Sequence, residues 1–344
     1  MSKTLKVAVI GCGKITWRHL DGMSRIDNCE VYALCDTAQD DRAEKLKAKY
    51  GTPETKIFTD YKELIGDPNV DAVIITTPDH THCQITCDFL RDGKPVLLEK
   101  PMALKKEECD EMLRVSKETG VMLMVGQVAR YGPSKIKMKE LVESGAIGEL
   151  TFVEAEYAHD YMNRRGEGDW RVQPDREGII GGGCHAIDLL RWIAGDPTHV
   201  RAYSNHKYLT EWPVNDTTIA IYNFPNNVIG KVFCGIGVKR GYTMRTCLYG
   251  TRGTIIFESG RNYLELFQCD PDNIHKGFTV PKHIPFVYKS HNMEDEIKDF
   301  ITALQQGKPA PISPLEGAST VAVACATVEA AAKGKAVKIK YPKY

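Results

Sequence analysis

The chain has 344 residues, 42% of them hydrophobic, with 45 Lys plus Arg against 45 Asp plus Glu. That length is enough for two domains and a sizeable core, and a formal net charge of zero supplies no global field for nucleic acid or an anionic membrane surface. The eleven cysteines are an odd number without a CxxC pair and sit in apolar contexts such as those of Cys234 and Cys325, the pattern of reduced, buried thiols in a cytoplasmic protein.

The N-terminal MSKTLKV enters a strand at once and carries no secretory h-region, and no apolar run approaches the about 20 residues of a transmembrane helix. Residues 6–10 form a short apolar, β-branched run, as in a strand buried on both faces. Gly11-Cys12-Gly13 turns the chain, a helix follows through Lys14 and Ile15 to the region of Leu20, and a second strand at 30–34 ends at Asp36. Strand, glycine turn, helix, strand and acid is the layout of a dinucleotide site. Gly11 makes the tight turn, Gly13 admits a pyrophosphate to the positive end of the helix, and Asp36 can accept from an adenosine ribose 2′-hydroxyl. Gly11, Cys12, Gly13, Lys14, Ile15 and Asp36 are therefore candidate cofactor-binding residues. Thr16 stands where the fingerprint has its third glycine, so the alternative is an ordinary βαβ unit with a surface Asp.

A charged helix then closes at Gly51, a brief strand follows at 57–58, and Thr59-Asp60 can cap a short helix. A buried strand from residue 71 ends in Thr77-Pro78-Asp79-His80-Thr81-His82, and after a helix another strand at 94–98 ends in Glu99-Lys100-Pro101. A helix at 105–119 and a strand through Gln127 complete a strict alternation, which implies a doubly wound parallel sheet with ligands at its strand carboxyl ends. Thr77, Pro78, His82, Glu99 and Lys100 lie at such ends and join the cofactor set. Lys100 can also bind a substrate hydroxyl and stabilise developing alkoxide; the alternative is a solvated Lys paired with Glu99. Cys83 and Cys87 beside His80 and His82 invite a zinc reading, but no second ligand pair stands nearby, and no metal is expected.

Beyond residue 130 a linking helix at 131–145 gives way to strand-like runs at 150–157, 200–208, 217–224, 228–238, 243–249, 254–258 and 263–268, joined by Gly, Asn and Pro turns. They predict a large, mostly antiparallel open sheet in an α+β domain. An amphipathic helix at 291–306, an Ala-rich helix opened by Ser313-Pro314-Leu315-Glu316, and a closing strand complete the chain. The expected division is a Rossmann dinucleotide-binding domain over 1–129 and a substrate-binding and oligomerisation domain over 130–344. Within the latter, three glycines precede His185, and Asp188 follows at i, i+3 on the same helix face. A neutral imidazole suits a general base for an alcohol proton near neutral pH, with Asp188 orienting it or binding a second hydroxyl, and Lys100 of the other domain supplying the rest of the site. The alternative is a core His capping a helix. Tyr161 can donate to a sugar hydroxyl, Trp170 can stack on a pyranose face, and Arg171 lies beside it; equally, these residues and Asp160 can simply close a loop.

Together VAVIGCGKI, Asp36, TTPDHTH, the LLEKP at 97–101, VGQVARYGP, GGGCHAIDLLRW and HNMEDEIKDFITALQQGKP resemble the glucose–fructose oxidoreductase/inositol dehydrogenase (Gfo/Idh/MocA) family over nearly the whole chain. The resemblance implies an NAD- or NADP-dependent oxidoreductase acting on the CH–OH group of a sugar or polyol, with Lys100 as the catalytic-site lysine and His185 as the base. It also implies a homodimer or homotetramer formed through the C-terminal sheet. NAD is expected over NADP, because Asp36 repels a 2′-phosphate and Thr37-Ala38 offers no cation. Inositol-dehydrogenase-like members carry an Asp four residues before the His; here Gly181 stands there, leaving Asp188, Asp160 or Tyr161 to replace it. Two alternatives follow from the resemblance: an NAD-dependent glycoside hydrolase using transient oxidation, and a non-catalytic cofactor-binding regulator.

Overall fold

The computed structural model describes residues 4–38, 40–270, 272–277, 279–289 and 291–344. In chain order the first part runs β1 (Leu5–Ile10), α1 (Thr16–Met23), β2 (Cys29–Cys35), α2 (Arg42–Tyr50), β3 (Lys56–Phe58), β4 (Ala72–Ile75), α3 (His82–Arg91), β5 (Val96–Glu99), α4 (Lys106–Thr119) and β6 (Leu123–Gly126). All five pairings are parallel and the order is β3-β2-β1-β4-β5-β6. Each connection is a crossover, so the helices cover the sheet and its central strands become continuous apolar runs: every residue of β4 is 0% exposed. The order reverses between β1 and β4, which places a crevice at their carboxyl ends.

The second part runs α5 (Pro133–Glu143), β7 (Leu150–Ala158), α6 (Gly178–Gly181), α7 (Cys184–Ala194), β8 (His199–Asn205), β9 (Thr217–Asn223), β10 (Ile229–Gly235), β11 (Thr246–Gly250), β12 (Gly253–Phe257), β13 (Tyr263–Gln268), β14 (Lys282–Pro285), α8 (Met293–Gln306), α9 (Pro314–Lys333) and β15 (Val337–Lys338). Nine strands form one sheet in the order β14-β13-β12-β11-β7-β10-β9-β8-β15. It is antiparallel except where β7 and β10 run parallel. The expected large antiparallel sheet is thus present, with one parallel pair because the first strand of the region inserts at its centre. Strand β14, rich in exposed polar residues, lacks the apolar alternation that marks the others.

The chain divides into two compact units, Met1–Val128 with Asn292–Ser319 and Pro342–Tyr344, and Ala129–His291 with Thr320–Tyr341. The expected division at 129/130 therefore needs a correction: α8 and the first turns of α9 return to the first unit. The reason is local packing, since a Cβ on Gly22 of α1 would lie 3.0 Å from the Glu294 amide, so the glycine lets α1 touch the first turn of α8. A second correction concerns α9, which is long and apolar enough to cross a membrane by length and composition, although most of its apolar stretch is buried inside the protein.

Candidate active site

In the first unit the glycine turn leaves β1 with Gly11 at φ +93°, and a Cβ there would come within 2.9 Å of the Thr76 carbonyl carbon and the Thr77 amide. Only glycine fits where the ends of β1 and β4 approach so closely. Thr16, in place of the third glycine, is buried and bonds the Gly11 carbonyl at 2.8 Å and the Thr76 hydroxyl at 2.9 Å. Its hydroxyl secures α1 against the turn, the role that close glycine packing serves in the standard fingerprint. Gly13 is exposed, and a Cβ built on it meets nothing within 4 Å. That open cradle at the positive end of α1, beside Lys14 and Ile15, fits the pyrophosphate of a dinucleotide.

Asp36 sits one strand away, its carboxylate accepting the Cys12 amide at 2.6 Å and the Ala38 amide at 2.8 Å. These bonds hold the acid beside the turn. The Cys12 thiol is pushed up to about 12 by burial and then by the Asp36 and Cys35 charges, so it stays a neutral thiol there. Thr77 and Pro78 are half-buried at the end of β4. His82 is fully buried, with its ring nitrogens 3.0 Å from the Pro101 carbonyl and 3.1 Å from the Thr77 carbonyl. It bridges the ends of β4 and β5.

Glu99 is buried at the end of β5 with both carboxylate oxygens engaged. One oxygen meets His19 Nε2 at 2.8 Å and the other accepts the Lys100 amide at 2.9 Å. Burial alone would raise Glu99, yet the His19 hydrogen bond, the charges of His19 and Lys100 and the amide hold it below the usual carboxylate range. The Lys100–Pro101 peptide is cis, and Lys100 is half-buried at the carboxyl end of β5. Behind them, Glu296 of α8 is fully buried and neither of its oxygens has a hydrogen-bond partner among the described residues. Burial, and then the Glu99 charge, push it well above the ordinary range. Neither His19 nor Glu296 was singled out from sequence; each looks like a polar interruption of a helix face.

In the second unit His185, near the start of α7, is 3% exposed and stacks on Tyr157 with ring centroids 5.9 Å apart. His291 lies edge-on to it at 5.9 Å, and Tyr242 packs against both Tyr157 and His291. His159 sits 5.2 Å from Tyr161 and is pushed down to about 4 by burial and then by Arg164, so it is neutral at physiological pH. Tyr161 is buried, its hydroxyl 2.6 Å from that of Tyr157, whose own ionisation is pushed well up, by burial first. His185 thus stands in an aromatic, histidine-rich cluster that sequence reasoning found only in part. The signal was present: Tyr157, His159 and Tyr161 alternate at the period of a strand.

Two expectations need correction here. Asp188 is 0% exposed, and its two oxygens take a bidentate pair from Arg130 at 2.8 and 2.7 Å and the Thr320 hydroxyl at 3.0 Å. It anchors α7 and neither orients His185 nor faces substrate. Asp160 turns to Lys239 at 3.0 Å and caps the Met162 amide, so it does not replace the missing family Asp. Trp170 has guanidinium neighbours, Arg171 at 4.1 Å and Arg176 at 4.8 Å from the ring centroid. Arg176 also explains Gly181: a Cβ there would lie 2.5 Å from a guanidinium nitrogen of this buried arginine. The space that an acid would use holds a cation instead.

Residues 5–127 match the family model described as "Oxidoreductase family, NAD-binding Rossmann fold", and residues 136–256 match the one described as "GFO/IDH/MocA C-terminal domain". A myo-inositol 2-dehydrogenase of Thermotoga maritima is 25% identical over 98% of this chain and 99% of its own. Glycosyl hydrolase family 109 protein 1 of Akkermansia muciniphila is 32% identical over 49% of this chain and 37% of its own. The solved structure of a levoglucosan dehydrogenase in complex with NADH shares the fold, with a TM-score of 0.88 at 22% identity over 98% of this chain and 99% of that one.

Proposed function

The chain belongs to the Gfo/Idh/MocA oxidoreductase family, and on that premise we propose that it oxidises a secondary hydroxyl of a sugar or polyol to a ketone, or the reverse, with NAD. The observation that carries this is the gathering of the glycine turn, Asp36, Thr77 and Lys100 at the carboxyl ends of adjacent parallel strands in an NAD-binding domain. Gly11 to Ile15 hold the pyrophosphate, Asp36 takes the ribose hydroxyl, and Thr77, Pro78 and Glu99 flank the strand ends, with His82 positioning them. Bound NAD supplies the hydride acceptor. His185 of the second unit serves as the base for the hydroxyl proton as the alcohol carbon becomes a carbonyl, and Lys100 of the first serves as a hydrogen-bond donor to developing alkoxide charge. Tyr161 and Arg171 contribute to substrate binding, with His159 neutral beside Tyr161. The protein works in the cytoplasm as a homo-oligomer formed through the nine-stranded sheet.

A second reading is favoured by the partial likeness to the family 109 glycosyl hydrolase and by Arg176 standing where the family has an acid. In it, oxidation is transient, a leaving group is expelled, and no reduced cofactor accumulates. A panel of polyols, free sugars and aryl glycosides, followed by nicotinamide absorbance and by aglycone release, separates the two. Reduced cofactor formed in proportion to polyol or sugar consumed supports the dehydrogenase. Aglycone release without it, abolished when cofactor is stripped, transfers the assignment to the hydrolase.

A further inference from the structure

In the second unit a small cavity, open to solvent at its mouth, lies beside the His185 cluster and is lined by Lys135, Tyr242, Phe257, Ser259, Lys289 and His291. Its connection to the candidate base is direct, because the His291 ring that lines it also touches His185. Lys135 comes from the first turn of α5 and is 5% exposed. Its Nζ has no hydrogen-bond partner among the described residues and sits 3.2 Å from the centroid of the Phe257 ring. A buried ammonium costs several kcal/mol, of the order found for unpaired buried ions, unless an opposite charge or full hydrogen bonding offsets it. Cation–π contact with one Phe offsets only part of that cost. Burial accordingly pushes the Lys135 ammonium well below the ordinary lysine range. The group is short of an anionic partner, and the cavity supplies none.

The rest of the lining agrees. It combines two lysines, a histidine and hydroxyl donors, and among the described residues it contains no carboxylate. Ammonium, imidazole and hydroxyl groups are donors that suit the oxygens of an anion.

We propose that this cavity binds the anionic end of an acidic sugar or polyol, with Lys135 as its counter-ion, so that the substrate class is a sugar acid or sugar phosphate. The proposal rests on the dehydrogenase reading for the fate of the hydroxyl, but not for the binding itself. The incoming group brings the charge that Lys135 lacks, and the amine takes up a proton as the ion pair forms. Carboxylate and phosphate share this chemistry.

The test is calorimetric titration of the full-length protein with NAD present, using D-glucuronate, D-glucose 6-phosphate and neutral D-glucose. Wild type is compared with Lys135→Met, which keeps the buried aliphatic stem, and with Lys135→Gln as a second variant. At least one anion should bind about tenfold or more tightly than glucose in wild type, with proton uptake visible as a buffer-dependent heat. Both variants should lose that preference and keep the wild-type response to glucose; the tighter of the two anions identifies the source. Equal affinity for glucose and both anions, a preference that survives in a folded variant, or no saturable heat with either anion overturns the subsite. The dehydrogenase reading fails separately: anion binding without reduced cofactor from any alcohol removes that reading and leaves the subsite standing.

Discussion

Asp36 carries two amides on its carboxylate, from Cys12 and from Ala38, and in the proposed site it accepts from a ribose 2′-hydroxyl and repels a 2′-phosphate. NAD should bind more tightly than NADP, and Asp36→Ser should narrow the gap, as measured by titrating both cofactors; tighter NADP binding to wild type would contradict this. The two acids and bases of α7 divide in the same concrete way. His185→Ala should keep cofactor binding and lose about 10²–10⁴-fold in turnover, the usual contribution of a general base. Asp188→Asn instead leaves the Arg130 guanidinium without its buried counter-charge and should cost on the order of 3–5 kcal/mol of stability. A thermal melt alongside the rates checks the contrast, and a stable Asp188→Asn with normal unfolding would refute it. The strand-end positions of the glycine turn, Asp36 and Lys100 were legible because the strand–helix alternation fixes them. Asp188 was misread because i, i+3 spacing shows a shared helix face but not the Arg130 that claims it from outside the helix.

α8 shows how an element carries more than its amphipathic pattern reports. The sequence marks it as a helix with one apolar face, yet that face includes Glu296, fully buried and without a hydrogen-bond partner among the described residues. An unfolded glutamate loses its proton near about pH 4.3, whereas folded Glu296 keeps it well above that value, through burial and then the charge of Glu99. Between those two values the folded state binds more protons than the unfolded one. This group's contribution is therefore full below the unfolded value and is lost as pH rises through the folded one. Glu296→Gln should gain in melting temperature relative to wild type as pH is raised from about 5 to about 8; a difference independent of pH would contradict it. Elements of the parallel sheet were legible because crossover helices and doubly buried strands leave distinct patterns. The parallel β7–β10 pair was not, since strand order depends on contacts between segments about 80 residues apart in a sheet whose alternation reads the same either way.

At the scale of the whole molecule, the outward face of the nine-stranded sheet carries Tyr203, Ile219, Ile221 and Ile229, exposed at 63%, 40%, 45% and 50%. The register places them on adjacent strands, with Tyr203 opposite Ile219 and Ile221 opposite Lys231. Beside them Glu154 is bridged by Lys231 and Arg245. Exposed large apolar side chains grouped on one sheet face suit an association surface, and a second copy of the chain is the expected occupant. Light scattering should give a dimer or tetramer at micromolar concentration, and Ile221→Glu should dissociate it; a monomeric wild type would count against the interface. The central claim is that an alcohol carbon gives up its hydride to NAD, and isotope transfer tests it most directly. The best substrate from the panel is labelled with deuterium at the carbinol carbon and taken through one turnover. Deuterium recovered in the reduced nicotinamide, with one ketone formed per label transferred, is the predicted result. Deuterium retained by the sugar product or released to water, with the nicotinamide oxidised at the end, would contradict it.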